Sequence, residues 1–332
     1  MDCGFRTPLP PLGLVCFSDR EQEAGKLLGL YRRGAAVPIL VYGPEGSGKS
    51  TLLRYIVWRV NRDDGLGVYI DALSGGDLEE AIYPLTSAMR SILADLLAGA
   101  APPFGRVLAV RLWDLLRGLL MRVEVERRRV LVVVDDVYRA LGLEEAEAYT
   151  KRLYELLVRL YGLGVESALV VVATSEGASR RLLARHSYAS TSLLWNLARE
   201  GLGELLSQIE APISTEEAWR ITGGNPRLLG RLAELEWSPG RLVEELAEQR
   251  LVEALEAVGR EALEKLVEDP DSEPKAAMRL EDMNLMIRLS RVASLSPPPE
   301  PDRELGVGRD WAWQTPAYRL AALRLLEQGY HS

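Results

Sequence analysis

Residues 42–51 read YGPEGSGKST, three glycines and a proline with no sizeable apolar side chain after the tyrosine, directly behind the apolar run PILV at 38–41. Gly43, Gly48, Lys49 and Ser50 fall in the spacing G-x-x-x-x-G-K-S. Glycines there let successive backbone N–H groups turn toward phosphate oxygens with no Cβ in the way. The lysine brings a point charge to the outer phosphates, and the serine hydroxyl can ligate Mg²⁺. A helix starting directly behind the loop adds the positive end of its dipole. An ordinary glycine turn is the alternative reading. The flanks decide against it, with an apolar strand before and Leu52, Leu53, Ile56, Val57 and Val60 at helical spacing after. The stretch is read as a phosphate cradle made of Gly43, Pro44, Glu45, Gly46, Ser47, Gly48, Lys49, Ser50 and Thr51.

The surrounding sequence alternates in the same way. Strands are predicted at 38–41, 67–70, 130–134 (VLVVV) and 168–173 (ALVVVA), with a weaker one at 191–195, and helices at 50–60, 78–97 and 107–125. Short, continuously apolar strands separated by helices predict a parallel sheet covered on both faces. From residue 214 the character changes. Ser214 and Glu217 form a capping box, Gly223-Gly224 stops that helix, and Asn225-Pro226 opens the next. Ser238-Pro239-Gly240 reads as a boundary, with Ser238 capping a helical region to about residue 268, and 296–302 is a polar, proline-rich loop. The expected organisation is an α/β core over 1–212, a helical lid over 213–238 and a third module over 239–332.

Composition narrows the function classes. The chain has 332 residues, 47% hydrophobic and 27% charged, enough for two or three packed units and too apolar for wholesale disorder. Its two cysteines, Cys3 and Cys16, and two histidines make neither a Cys-x-x-Cys motif nor a metal cluster. No apolar run approaches eighteen residues, and the start MDCGFRTPLP lacks the apolar stretch of a signal peptide. A cytoplasmic protein without membrane contact is expected. The net charge of −8 speaks against a nucleic-acid coat. Arginine outnumbers lysine 35 to 5 and Asn plus Gln total nine, the composition of a heat-adapted protein, although a GC-rich genome also raises arginine.

Two further motifs carry chemistry. Asp135-Asp136 ends the strand at 130–134, where a phosphate-loop site needs a carboxylate to hold Mg²⁺; Asp135 is the candidate ligand. Thr174-Ser175 closes the strand at 168–173 and either senses a γ-phosphate or caps a helix starting near residue 178. Arg180 and Arg181 can be read as arginine fingers, but solvated helix charges are the preferred reading, and Arg127 to Arg129 reads as a solvated approach to a strand.

Together with VYGPEGSGKSTLL, the stretches CFSDREQEAGKLLGLYRRG (16–34), VLVVVDDV and ITGGNPRLL make the chain resemble the archaeal ATPase family, of the STAND class of P-loop NTPases related to the AAA+ ATPases. The resemblance covers roughly residues 15–235. It implies an ASCE/AAA+-like parallel-sheet core, a helical lid and a C-terminal winged-helix-like domain, the last less specifically. It further implies ATP or ADP with Mg²⁺ as ligands. Asp19, Arg20 and Glu21 would lie near the base and ribose, and residues 43–51 on the phosphates. Ser50 and Asp135 would hold Mg²⁺, with Lys49 and Asp136 in catalysis and Thr174 or Ser175 as sensor. Pro226 would report nucleotide state to the lid. The chain departs from the family in Asp19, where glycine is usual before Arg-Glu, in Pro44-Glu45, and in Asp136, where many relatives carry the longer glutamate.

The leading expectation is a slow, Mg²⁺-dependent ATPase that works as a nucleotide-driven switch on a protein partner or a second copy. The alternative is a DNA-binding ATPase resembling replication initiators. From Gly240 onward there are eighteen acidic and twelve basic residues, which disfavours DNA, although Arg279, Arg288 and Arg291 can form a local basic stripe. A small-molecule kinase on the same loop fits the long C-terminal extension least.

Overall fold

The computed structural model describes residues 3–328 apart from 64, 102, 122–128, 176, 178, 179, 182–186, 291–293 and 298, and apart from the side chain of residue 88. A hairpin of β1 (Arg6–Leu9) and β2 (Gly13–Cys16) comes first, followed by α1 (Glu21–Arg33). Then β3 (Ile39–Tyr42) leads through the glycine loop into α2 (Lys49–Arg62). After β4 (Leu66–Asp71) come α3 (Leu78–Ala81), β5 (Ile82–Tyr83), α4 (Ser87–Leu96), α5 (Phe104–Val110) and α6 (Leu112–Leu120). β6 (Arg129–Asp135), α7 (Val137–Leu141), α8 (Leu143–Gly162), β7 (Ser167–Thr174) and β8 (Ser190–Leu193) complete the sheet region.

The sheet order is β5-β4-β6-β7-β3-β8, parallel except for the short edge strand β5. Alternate side chains enter opposite layers, as a period of two requires. Leu40, Val68, Ile70, Val130, Val132, Val134, Val170 and Val172 face α4 to α8, while Val41, Tyr69, Leu131, Val133, Leu169 and Val171 face α1 and α2. Both faces are dry, which explains why these strands read as continuous rather than alternating apolar runs. Each fully buried valine or leucine contributes about 1.5–3 kcal/mol of transfer free energy. The order inserts β7 between β3 and β6, so Thr174 ends beside both the glycine loop and Asp135.

Two helix expectations are revised. The stretch predicted helical over 78–97 is interrupted at Ile82–Tyr83, because Pro84 disfavours helical backbone in the residue before it. The helix predicted over 107–125 starts at Phe104 and breaks at Arg111 into α5 and α6; residues 122–125 lie outside the described residues. The N-terminal hairpin was not foreseen. Its two ends are joined by a Cys3–Cys16 disulfide with Cα atoms 5.9 Å apart. Phe5 and Phe17 pack edge and face on Tyr55 and Trp58 of α2, which fastens the hairpin to the helix behind the glycine loop. Disulfides are rare in the cytosol of mesophiles and common inside hyperthermophiles, the host type at which the composition hints.

Beyond β8 the chain is mostly helical. α9 (Arg199–Gln208), α10 (Thr215–Thr222) and α11 (Pro226–Glu234) come first, and the Ser214–Glu217 capping box is present. α12 (Pro239–Leu246) runs through a π-turn at Ala247–Leu251 into α13 (Val252–Val258), followed by α14 (Arg260–Glu268) and α15 (Pro274–Asp282). An antiparallel ribbon of β9 (Met286–Arg288) and β10 (Trp311–Trp313) precedes α16 (Pro316–Glu327). A second apolar cluster, with Leu232, Leu251, Leu263, Leu266, Leu280 and Trp313 fully buried, unites this half. No helix among the described residues is long and apolar enough to cross a membrane.

Candidate functional site

The glycine loop is held by its neighbours on every side. A Cβ on Gly43 would lie 1.9 Å from the Leu194 carbonyl oxygen, so only glycine lets the loop leave β3 against the strand β8 exit. Gly46 has φ +80°, and its Cβ would meet the Arg227 Cβ at 2.5 Å. The loop ends at Lys49, where the first-turn amides of α2 have no intrahelical acceptor and so present donors to an anion.

A cavity of about 510 Å³ opens over this helix start. Gly46, Gly48, Lys49, Ser50 and Thr51 form its floor, Asp135, Asp136 and Ser175 one side, and Pro226, Arg227 and Arg231 of α11 the other. Pro8, Leu9 and Pro10 of the hairpin close a third side. A smaller apolar extension of about 80 Å³ runs beneath the hairpin past Thr7, Phe17, Arg20, Thr51, Leu205 and Pro226. A basin large enough for a polyphosphate thus adjoins a narrow slot, the two sharing Pro8, Leu9, Gly48, Thr51 and Pro226.

The electrostatics follow from burial. The Lys49 ammonium donates to the carbonyls of Gly43 (3.0 Å) and Pro44 (2.8 Å), and burial pushes its pKa down to about 8 against the pull of Asp135 and Asp136. Asp135 is buried and accepts a 2.6 Å hydrogen bond from the Tyr69 hydroxyl. Asp136 sits at φ 51°, its amide donating to Ala173. Burial first, and the Asp135 charge second, push its carboxyl up to about 6. Burial likewise raises Asp71, which pairs with Asp135 in the sheet register.

The loop also touches the start of α11 and the C-terminal half. The Glu45 amide donates to Gln314 Oε1 at 2.8 Å, and the Glu45 carbonyl accepts from Asn225 Nδ2 at 2.8 Å. Asn225 Nδ2 also reaches Asn196 Oδ1, and Asn196 Nδ2 donates to the Gln314 carbonyl. Arg227 pairs with the Glu45 carboxylate at 2.6 Å. Asn225 caps α11 through Leu228 N as well, so its role as a helix cap is only part of what it does.

The sequence-predicted residues therefore divide. Residues 46 and 48–51, with Asp135, Asp136, Ser175 and Pro226, meet around one basin. Thr174 is buried at the end of β7 opposite Tyr42. Arg20 is buried and donates to the carbonyls of Ser47 (2.7 Å) and Trp195 (2.8 Å) and to Glu23, so it braces the loop from beneath. Asp19 and Glu21 line a different cavity, where Asp19 accepts from the Ala198 amide at the start of α9. Arg180 and Arg181 are not the solvated helix charges expected. Both pair with Glu281 of α15, itself 1% exposed, at 2.9 and 2.7 Å. Arg129 bonds Glu166, while Arg127 and Arg128 lie outside the described residues, as does the helix start near residue 178. Sequence reasoning passed over Tyr69, the hairpin prolines, Arg227, Arg231 and Gln314.

Residues 17–232 match the ATPase domain family described as predominantly from Archaea. No curated protein matches the chain. Among solved structures it is similar to the replication initiator DnaA bound to AMPPCP and single-stranded DNA, at 15% identity over 79% of this chain and 77% of that one, with a TM-score of 0.41. AMPPCP-bound DnaA from Aquifex aeolicus gives 15% identity over 80% and 79%, with a TM-score of 0.40. RuvB T158V from Thermotoga maritima gives 15% over 82% and 89%, with a TM-score of 0.34. Likenesses this distant say nothing about ligand or partner.

Proposed function

Because the chain belongs to the family of ATPase domains found predominantly in Archaea, we propose that it is a slow, Mg²⁺-dependent ATPase whose nucleotide state sets the position of its C-terminal half. The observation that carries this reading is the direct seat of Gln314 and Asn225 on the phosphate loop at Glu45. A ligand that moves the Glu45 peptide must move both or lose both bonds. Coupling nucleotide state to shape through such loop contacts is an established device.

In this reading the phosphates lie over Gly46 and 48–51, and the base enters the slot beneath the hairpin. Lys49 exchanges its own loop carbonyls for phosphate oxygens. Ser50 and Asp135 hold Mg²⁺, which supplies charge neutralisation at the outer phosphates. Among the described residues no three His, Cys, Asp or Glu side chains form a metal cage. Such a set suits Mg²⁺, which keeps waters and shares phosphate oxygens rather than filling an all-protein site. Asp136 orients the attacking water and Thr174 or Ser175 senses the γ-phosphate. The shorter reach of aspartate than glutamate is what supports slow turnover.

The chain divides on this account into a core (1–212), a lid (213–238) and a winged-helix-like unit (239–332), the ribbon β9–β10 being its wing. The unit acts on a protein partner or a second copy in the cytoplasm. Hydrogen exchange in ADP and in a non-hydrolysable ATP analogue tests the switch: exchange across 311–316 should differ between the two. Identical exchange there would remove the switch and leave an ATPase. Salt-sensitive duplex binding by the C-terminal half would instead favour the replication-initiator alternative.

A further inference from the structure

A second cavity, of about 600 Å³, shares no lining residue with the basin. The start of α1, the β8–α9 connection, the end of α10 and residues 296, 297, 299–302, 305, 307 and 313–316 enclose it. Its size is that of a small-molecule site. Three features give it a chemical character.

The first is charge. Asp19, Glu21, Glu23, Glu200, Glu300 and Asp302 line it, whereas Arg199 is the sole basic residue among the described lining and turns to Glu216. Glu23 is matched by Arg20, Asp19 by the Ala198 amide and Asp302 by the amides of Glu304 and Leu305, which leaves Glu21, Glu200 and Glu300 at the exposed rim. The second is aromatic surface. Trp195 and Trp219 are half-buried in the wall and Trp313 forms the base, with prolines between them. An indole face beside carboxylates is the environment that stabilises an organic cation. The third is an orphan. Thr315, 3% exposed, belongs to this lining, and its Oγ1 has no hydrogen-bond partner.

We propose that this cavity binds a small organic cation, a guanidinium or alkylammonium group, between the tryptophan faces and the carboxylate rim. The site adjoins the phosphate loop at two points. Trp195 and Gln314 both line it, and they are bonded to Arg20 and to the Glu45 amide respectively. Occupancy therefore bears on the nucleotide. That coupling rests on the function proposed above, whereas binding of the cation does not.

The test is calorimetric titration of the nucleotide-free full chain with agmatine, with the neutral butylurea as control. The expected result is saturable one-to-one binding of agmatine, absent for butylurea. Glu300→Gln and Glu21→Gln, both at exposed positions, should each weaken it about threefold. Trp219→Ala should weaken it by a further factor of about three. A capped Gly-Arg-Gly peptide separates the two sources of such a group. Tighter binding of agmatine assigns a free metabolite, and tighter binding of the peptide assigns an arginine side chain of a partner. Absence of saturation, or an affinity indifferent to all three substitutions, overturns the proposal. A shift in the affinity of a fluorescent ADP at saturating agmatine then reads the coupling alone.

Discussion

The Glu45 amide and the Gln314 side chain, 269 residues apart in sequence, meet at 2.8 Å in the phosphate loop. Gln314 is 2% exposed and its amide nitrogen faces the Met286 carbonyl, so one side chain joins the loop to the β9–β10 ribbon. Replacing it by alanine removes the acceptor of the partly buried Glu45 amide. A neutral hydrogen bond of this kind contributes about 1 kcal/mol. Gln314→Ala should therefore speed release of a fluorescent ADP about fivefold in stopped flow while leaving the melting temperature within a few degrees.

Gly46 bears on the start of α11 rather than on the loop alone. Alanine at φ +80° costs about 1–2 kcal/mol of backbone strain, and its Cβ would also strike Arg227 and Asn225 at 2.5 and 2.8 Å. Gly46→Ala should lower nucleotide affinity at least tenfold, with faster hydrogen exchange across 226–234. Unchanged affinity would place the contact with α11 outside the binding reaction.

Asp136 is a carboxylate held where carboxylates are disfavoured, by burial and by Asp135. Asparagine keeps the shape and tolerates the left-handed backbone at φ 51°. Asp136→Asn should abolish steady-state hydrolysis and stabilise the nucleotide-free protein at pH 7 by about 1 kcal/mol. The gain should shrink as the pH falls through about 6, because the wild-type carboxyl is then neutral. Denaturant melts at pH 5 and pH 7 check the sign.

Glu281 is buried and accepts from Arg180, Arg181 and the Arg288 amide. Removing the charge takes from Arg180 its carboxylate partner in a mostly dry interface, while Arg181 keeps its pairing with Asp282. Glu281→Gln should cost about 3 kcal/mol in chemical denaturation, and it should loosen α15 from the segment after β7. A cost below about 1 kcal/mol would mean that the cluster is as well solvated as the sequence suggests.

The Cys3–Cys16 bridge closes a short loop around the hairpin that walls the nucleotide basin. Loop-closure entropy alone assigns about 3 kcal/mol to such a bridge. Cys16→Ala should lower the melting temperature and raise ADP dissociation together, since Pro8 and Leu9 lose their anchor. Thiol titration should count no free cysteine in the untreated protein.

Much of the core was legible because local rules and tertiary packing agree there. Val130 to Val134 and Ala168 to Ala173 are β-branched or small and unbroken, and both faces of their strands are buried. The phosphate loop was legible because the glycine spacing has only one backbone use between a strand and a helix. The contacts that cross hundreds of residues were not. Arg180 and Arg181 look like any helix charges until Glu281 is brought opposite them. The β1–β2 hairpin is two four-residue strands around Pro10-Pro11, too short for a periodicity. One signal was available and unused: in a chain with nine amide side chains, Asn196, Asn225 and Gln314 are three of them; Asn225 and Gln314 both bond Glu45, and Asn196 bridges those two. Where amides are this scarce, each that persists in a buried position is a candidate for a specific hydrogen-bonding task.

The central claim is that the basin over Lys49 holds a nucleotide. The most direct measurement is to denature the purified protein without added nucleotide and identify what is released. The expected result is ADP near one equivalent, absent from Lys49→Ala. An empty wild-type protein that also fails to bind added ATP with Mg²⁺ would contradict the account.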